Sequence, residues 1–196
     1  MPSKRALHRF RVLALLPTLL SAVLVMQTNG SAEERKTAAP TEYEVKAAFV
    51  HNFVKFVEWP AVGQPGDSIR LCILGDPPNV EAFATLSGRQ VGGKRLIVLP
   101  IIRPGEVIDC EVLFVTANQA ARLPEIVETL DDLPILTIGD TEGYARHGVM
   151  INMFLENKRI RFEINEHKAR AAGLTISAKL LKLASRVYGA TGNRQE

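Results

Sequence analysis

Little in this 196-residue chain points to reaction chemistry. It has only two cysteines, Cys72 and Cys110. With no Cys-x-x-Cys and no histidine at ligand spacing beside them, a thiolate metal centre is excluded. Gly-x-Ser-x-Gly is absent, and His51, His147 and His167 stand isolated, so nothing forms the nucleophile, base and orienting group of acyl transfer. Neither the Walker spacing nor Gly-x-Gly-x-x-Gly occurs. The adjacent acids Glu33-Glu34 and Asp131-Asp132 read as capping or solvated pairs rather than cation ligands. The expectation is no catalytic residue, no metal and no cofactor.

Acidic residues are also missing from the start of the chain: none precedes Glu33, whereas Lys4, Arg5, Arg9 and Arg11 all do. The basic stretch 1–11 leads into an apolar run, Val12 to Met26, broken only by Pro17, Thr18 and Ser21, and Gly30-Ser31-Ala32 then supplies small residues. This is the layout of a secretory signal cleaved after Ala32. The run is about 15 residues, short of the ~20 that cross a bilayer, and no other stretch is long and apolar enough. Removing those four basic residues from 24 leaves 20 against 21 acids, a net charge of −1, so the formal +3 of the whole chain belongs to the signal. A nearly neutral mature part gives no electrostatic case for nucleic-acid binding. Export to the periplasm favours a Cys72–Cys110 disulfide, each cysteine lying beside a predicted strand, over two buried free thiols.

What is present reads as one α/β domain over residues 41–190, after a signal peptide 1–32 and a flexible leader 33–40. Thr41-Glu42-Tyr43-Glu44 fits a capping box opening a helix to about Glu58. Val45, Phe49, Phe53, Phe56 and Val57 lie at helical spacing, and Trp59-Pro60 is the stop. Strands follow at Ile69–Leu74, Arg95–Ile101, Glu111–Val115 and Ile135–Gly139, with helices at about Asn79–Leu86 and from Asn118 or Gln119 to Leu130, and a turn at Arg103-Pro104-Gly105. This alternation predicts a mainly parallel sheet with flanking helices. Val149–Glu156 and Arg159–Ile164, joined by Asn157-Lys158, then read as an antiparallel C-terminal hairpin with one wet face carrying Arg159, Arg161 and Glu163. Asn165 caps a last helical region to Tyr188, bent near Gly173.

Two features stand out as candidate sites. Arg159, Arg161 and Glu163 share a strand face, either as paired surface charges or as a partner-docking face. Gly139 to Gly148 follows a predicted parallel strand, where ligand sites of α/β sheets lie; Asp140, Gly143, Tyr144 and His147 are its candidate ligand residues. Its glycines are equally those of a connecting loop.

Several segments resemble one family. Tyr43-Glu44-Val45-Lys46-Ala47-Ala48-Phe49, Asn52-Phe53 and Phe56-Val57-Glu58-Trp59-Pro60 look like the opening of YfiR-like periplasmic proteins, as does Leu71-Cys72-Ile73-Leu74-Gly75-Asp76. Thr137-Ile138-Gly139-Asp140, Gly143-Tyr144-Ala145, Gly148-Val149-Met150-Ile151-Asn152, Arg159-Ile160-Arg161-Phe162-Glu163-Ile164-Asn165 and Ala172-Gly173-Leu174-Thr175-Ile176-Ser177-Ala178-Lys179-Leu180-Leu181 extend the likeness over residues 42 to 188. The resemblance implies a periplasmic repressor. It would bind the periplasmic part of an inner-membrane diguanylate cyclase and restrain cyclic di-GMP synthesis and biofilm formation, with homodimers expected. Cys72 and Cys110 match the family's structural pair, while the second, redox-linked pair has no counterpart after Cys110. The competing expectation is a periplasmic small-molecule sensor, or an adaptor for another membrane signalling protein.

Overall fold

Thr41 and Glu44 cap each other in the computed structural model of the chain: the Thr41 hydroxyl accepts from the Glu44 amide at 3.3 Å and the Glu44 carboxylate from the Thr41 amide at 2.6 Å. The structure describes residues 39–61, 65–75, 80–131 and 133–189, all within one compact unit, Ala39–Glu196. The expected signal peptide and most of the leader lie outside the described residues. No helix among the described residues is long and apolar enough to cross a membrane.

The capped helix α1 spans Glu42–Val54 and ends short of the Trp59-Pro60 stop. Val57–Glu58 forms strand β1 instead. A β-branched residue fits the extended backbone, and the segment is claimed by a later ribbon, Val57 opposite Ile176 and Glu58 opposite Thr175. The buried face of α1 is Lys46, Ala47, Val50, Phe53 and Val54, with Phe49 only partly covered. The aromatic stripe read from the sequence is therefore rotated, and a lysine sits within it.

The other elements are β2 (Ser68–Leu74), α2 (Val80–Ala84), β3 (Gln90–Val91), β4 (Lys94–Ile101), β5 (Val112–Val115), α3 (Leu123–Thr129), β6 (Leu136–Gly139), β7 (Ile151–Glu156), β8 (Arg159–Asn165), α4 (Glu166–Ala171), β9 (Thr175–Ile176), α5 (Ala178–Leu183) and β10 (Arg186–Tyr188). Eight strands make the main sheet in the order β10-β8-β7-β6-β5-β2-β4-β3. From β4 to β7 every pairing is parallel; β7 and β8 are antiparallel, as the alternating pattern predicted. Asn157 (φ 50°) and Lys158 (φ 62°) close that hairpin; two left-handed residues give the twist a two-residue loop needs. The chain runs from β2 outward to β4 and then back past β2 to β5, so the sheet is wound in both directions.

Side chains alternate across the sheet. Leu71, Ile73, Val112 and Phe114 face one core with α1 and α2. Cys72, Leu74, Leu113 and Val115 face a second core with α3. Cys72 of β2 and Cys110, just ahead of β5, form a disulfide with Cα atoms 5.9 Å apart, both residues buried.

Three further sequence expectations are corrected. The helix expected to Leu130 is a 3-10 segment, Ala117–Arg122, followed by α3, because Pro124 has no amide to continue a ladder. Arg103-Pro104-Gly105 is less a turn than the entry to a 3-10 segment, Pro104–Asp109. The single bent helix expected to Tyr188 is two short helices and two strands. Gly173 takes φ +73°, Thr175 and Ile176 extend, and the Ser177 hydroxyl accepts from the Leu180 amide to start α5. β10 then pairs in parallel with β8, so the hairpin is not the sheet's edge.

At the opposite flank, β3 covers only Lys94 and Arg95 of β4. Leu96 exchanges bonds with Gly88 and Arg89, so its backbone groups face outward, as do those of Val98, Pro100 and Ile102. Pro100 offers no donor there, and the Ile102 amide donates to the Glu106 carboxylate at 3.1 Å.

Replacing both cysteines by alanine removes a link across 38 residues of chain, which lowers stability by about 4 kcal/mol in the chain-entropy estimate. Urea unfolding of the double variant against the oxidised chain measures it. A loss under about 1 kcal/mol would show that the link carries no weight.

Candidate functional site

The carboxyl ends of β6 and β7, where ligand sites of wound sheets lie, are built around a buried ion pair. Lys46 Nζ of α1 lies 2.9 Å from Asp140 Oδ2, just past β6, with side-chain exposures of 5% and 1%. The Tyr43 hydroxyl donates to the same oxygen at 3.0 Å, and Glu42 meets Lys46 at 2.7 Å from the surface. Burial first, and then the adjacent Asp140 carboxylate, push Tyr43 far above the ordinary tyrosine range, so it stays a donor at any physiological pH. Asp140 Oδ1 and Asn152 Oδ1 are buried and have no hydrogen-bond partner among the described residues. Gly139 is required between them, because a Cβ there would stand 2.6 Å from Tyr144 Cδ2 and 3.1 Å from Asn152 Oδ1.

A second polar cluster crosses the hairpin. Glu163 of β8 accepts from Asn152 Nδ2 at 3.3 Å and from the Tyr188 hydroxyl at 3.0 Å. That hydroxyl in turn accepts from Arg146 Nε at 3.2 Å and Arg186 Nη1 at 3.1 Å. Glu163 is buried, 7% exposed, so the face it shares with Arg159 and Arg161 is not uniformly wet. β10, which the sequence reading took for helix, covers it.

Of this cluster Arg146, Glu163 and Arg186 line a cleft of about 410 Å³, bounded also by Gly143, Arg161 and Ser185, among others. A smaller cavity of about 290 Å³ adjoins it, sharing Glu142, Phe154 and Glu156 and reaching Asp140. The two candidate sites read separately from the sequence, the glycine loop and the charged strand, thus meet across one cleft. Not every singled-out residue takes part. Tyr144 turns inward, its hydroxyl donating to the Thr116 carbonyl at 3.3 Å, and burial raises its pKa. His147 and Arg159 are exposed and line neither cavity. Gly143 takes φ +87°, a turn requirement.

Sequence reasoning missed Lys46, Asn152, Arg146, Arg186 and Tyr188. Lys46 left a signal, a charge at i−4 and i−7 from the buried Val50 and Phe53 of α1; Arg146, Arg186 and Tyr188 meet through β10, whose strand character the sequence concealed, and Asn152 through its bond to Glu163 across the hairpin. Among the described residues no group of three or more His, Cys, Asp or Glu is placed to hold a metal ion.

The fold and cleft define a wound α/β domain with a charged recess at its strand ends. The family described as DUF4154, YfiR/HmsC-like, matches residues 43–185, and the chain belongs to it. No curated protein matches it significantly. Among solved structures it resembles a conserved domain protein from Vibrio cholerae O1 biovar El Tor (11% identity, TM-score 0.54, 75% of this chain) and an ABC domain in complex with L-Trp from Streptococcus pneumoniae (12%, 0.53, 74%). The chain spans 60% of the length of each, and at these identities the likeness concerns the fold.

Lys46→Met leaves Asp140 charged, buried and short of a partner, which costs about 3–5 kcal/mol. Lys46→Met/Asp140→Asn recovers part of that, since no buried charge remains. Equilibrium denaturation of both variants checks this; equal losses would show that the pairing is not the source.

Proposed function

We propose that the mature chain is a periplasmic binding protein that represses an inner-membrane diguanylate cyclase, acting through its surface rather than by turnover. Membership of the YfiR/HmsC-like family over residues 43–185 carries this reading. The basic-then-apolar start of the chain supports cleavage after Ala32 and export. The buried disulfide fits an oxidising compartment. Repression needs only that the protein prefer one conformation of the cyclase's periplasmic part; a 10-fold preference is about 1.4 kcal/mol.

The docking surface in this reading is the hairpin, where Arg159 and Arg161 are exposed and Arg161 is held only by the exposed Glu156 at 3.4 Å. Glu163 acts behind it, anchoring Tyr188 and Arg186. A second reading, a small-molecule sensor, is favoured by the cleft of about 410 Å³ with Arg146, Arg161 and Arg186 on its wall. A tight ligand there would raise the melting temperature in a metabolite screen.

Deleting the gene raises cellular cyclic di-GMP, and expression of the wild-type chain reverses this. The Arg159→Glu/Arg161→Glu variant, stable to within about 0.5 kcal/mol because both sites are exposed, reverses it poorly. An unchanged cyclic di-GMP level on deletion would refute the regulatory reading.

A further inference from the structure

β6 stops at Gly139 and pairs with β7 only at Ile151 and Asn152, whereas β7 runs on to Glu156. On the other side, β10 pairs only with Glu163 to Asn165, although β8 begins at Arg159. The hairpin is therefore an arm that projects past both neighbouring strands.

The direction of its backbone groups follows from the bonds around it. The Phe162 carbonyl accepts from the Ser185 amide at 2.8 Å, so Phe162 faces away from β7. Its cross-strand partner Met153 faces away from β8 in turn. Every second residue along a strand repeats that direction, so Leu155 also presents its N–H and C=O toward the side where β6 has ended. Beside it lies the cavity of about 290 Å³, lined by Asp140, Glu142, Phe154, Leu155 and Glu156. It occupies the place a continued β6 would have filled. Leu155 is 56% exposed, a large apolar residue on an open strand edge.

The charges around the gap are acidic. Asp140 is matched by Lys46. Exposed Glu142 has no ion-pair partner among the described residues, and Glu156 meets only the half-exposed Arg161. An open edge with charged side chains resists indiscriminate pairing but admits a strand of complementary charge.

We propose that the gap beside β7 receives an extended segment of the partner protein in which lysine or arginine alternates with aliphatic residues. The segment adds as a strand along Met153–Glu156. Its main chain bonds Leu155, its cations lie on the face of Glu156 and meet Glu142 and Glu156, and its aliphatic side chains cover Leu155 on the opposite face. The inference rests on the chain being a partner-binding regulator and specifies the chemistry of what it binds.

The test uses the mature chain and three acetylated, amidated hexapeptides: (Lys-Val)3, the same peptide N-methylated at alternate bonds, and (Glu-Val)3. At about 1 mM peptide, a concentration matched to a weak main-chain interaction, (Lys-Val)3 slows hydrogen exchange of the Leu155 amide at least ~10-fold, and the other two do not. No slowing, or equal slowing by all three, overturns the proposal. Leu155→Pro deletes an amide that β8 does not use, a substitution edge strands tolerate, and abolishes (Lys-Val)3 binding. Glu142→Lys, at an exposed position, weakens (Lys-Val)3 binding independently; unaltered binding in a folded Leu155→Pro or Glu142→Lys chain overturns the proposal as well. In the deletion strain, Leu155→Pro fails to lower cyclic di-GMP where the wild type succeeds. Should deletion itself leave cyclic di-GMP unchanged, the regulatory reading falls while the peptide experiment still decides the site.

Discussion

The arrangement at the strand ends depends on the buried pair between Lys46 and Asp140. Neither charge is tolerable alone at 5% and 1% side-chain exposure, since an ion moved out of water without a partner loses several kcal/mol. Together they tie the first turns of α1 to the end of β6. That bond fixes where the chain leaves the sheet after Gly139, and so where the following loop stands against the hairpin. The cleft is the space this departure creates. Tyr43, kept protonated beside the carboxylate, adds a second tether from the same helix. The pair is a constraint of position more than a source of net stability, because two hydrophobic residues of similar volume could fill the same space.

The Glu163 cluster complements it from the other strand. Asn152 and Tyr188 hold one carboxylate between adjacent strands, and two arginines converge on the Tyr188 hydroxyl. Arg146 comes from the loop, Arg186 and Tyr188 from the last strand and Glu163 from the hairpin. Three separated segments are thus fixed to one another by hydrogen bonds to two oxygen-bearing groups. The wall of the cleft is pre-organised although its members are far apart in sequence.

Much of the architecture was legible in the sequence. The capping box at Thr41, the parallel strands and the hairpin around Asn157-Lys158 were all read from local pattern, because capping, alternation and left-handed turns depend on neighbouring residues only. The C-terminal region was misread because Leu174, Ala178 and Leu181 mimic helical spacing while Gly173 and Thr175-Ile176 break it. The length of α1 was overestimated because the competing ribbon partner, Thr175-Ile176, lies more than a hundred residues away. The disulfide was recovered from compartment and strand placement. The cleft was only half visible: the sequence singled out Asp140, Gly143, Arg161 and Glu163, but not that they converge, nor that Glu163 is covered. Those facts belong to β10 and to Lys46, which only tertiary structure brings in.

The two flanks of the sheet are unequal. Beyond β4, Pro100 withholds a donor and Glu106 occupies the Ile102 amide. A chain that could accept strands on both flanks would be a monomer for fibre growth, each copy templating the next. At β4 those donors are withheld, and a strand received beside β7 enters within the sheet, past the end of β6, and so lengthens neither flank.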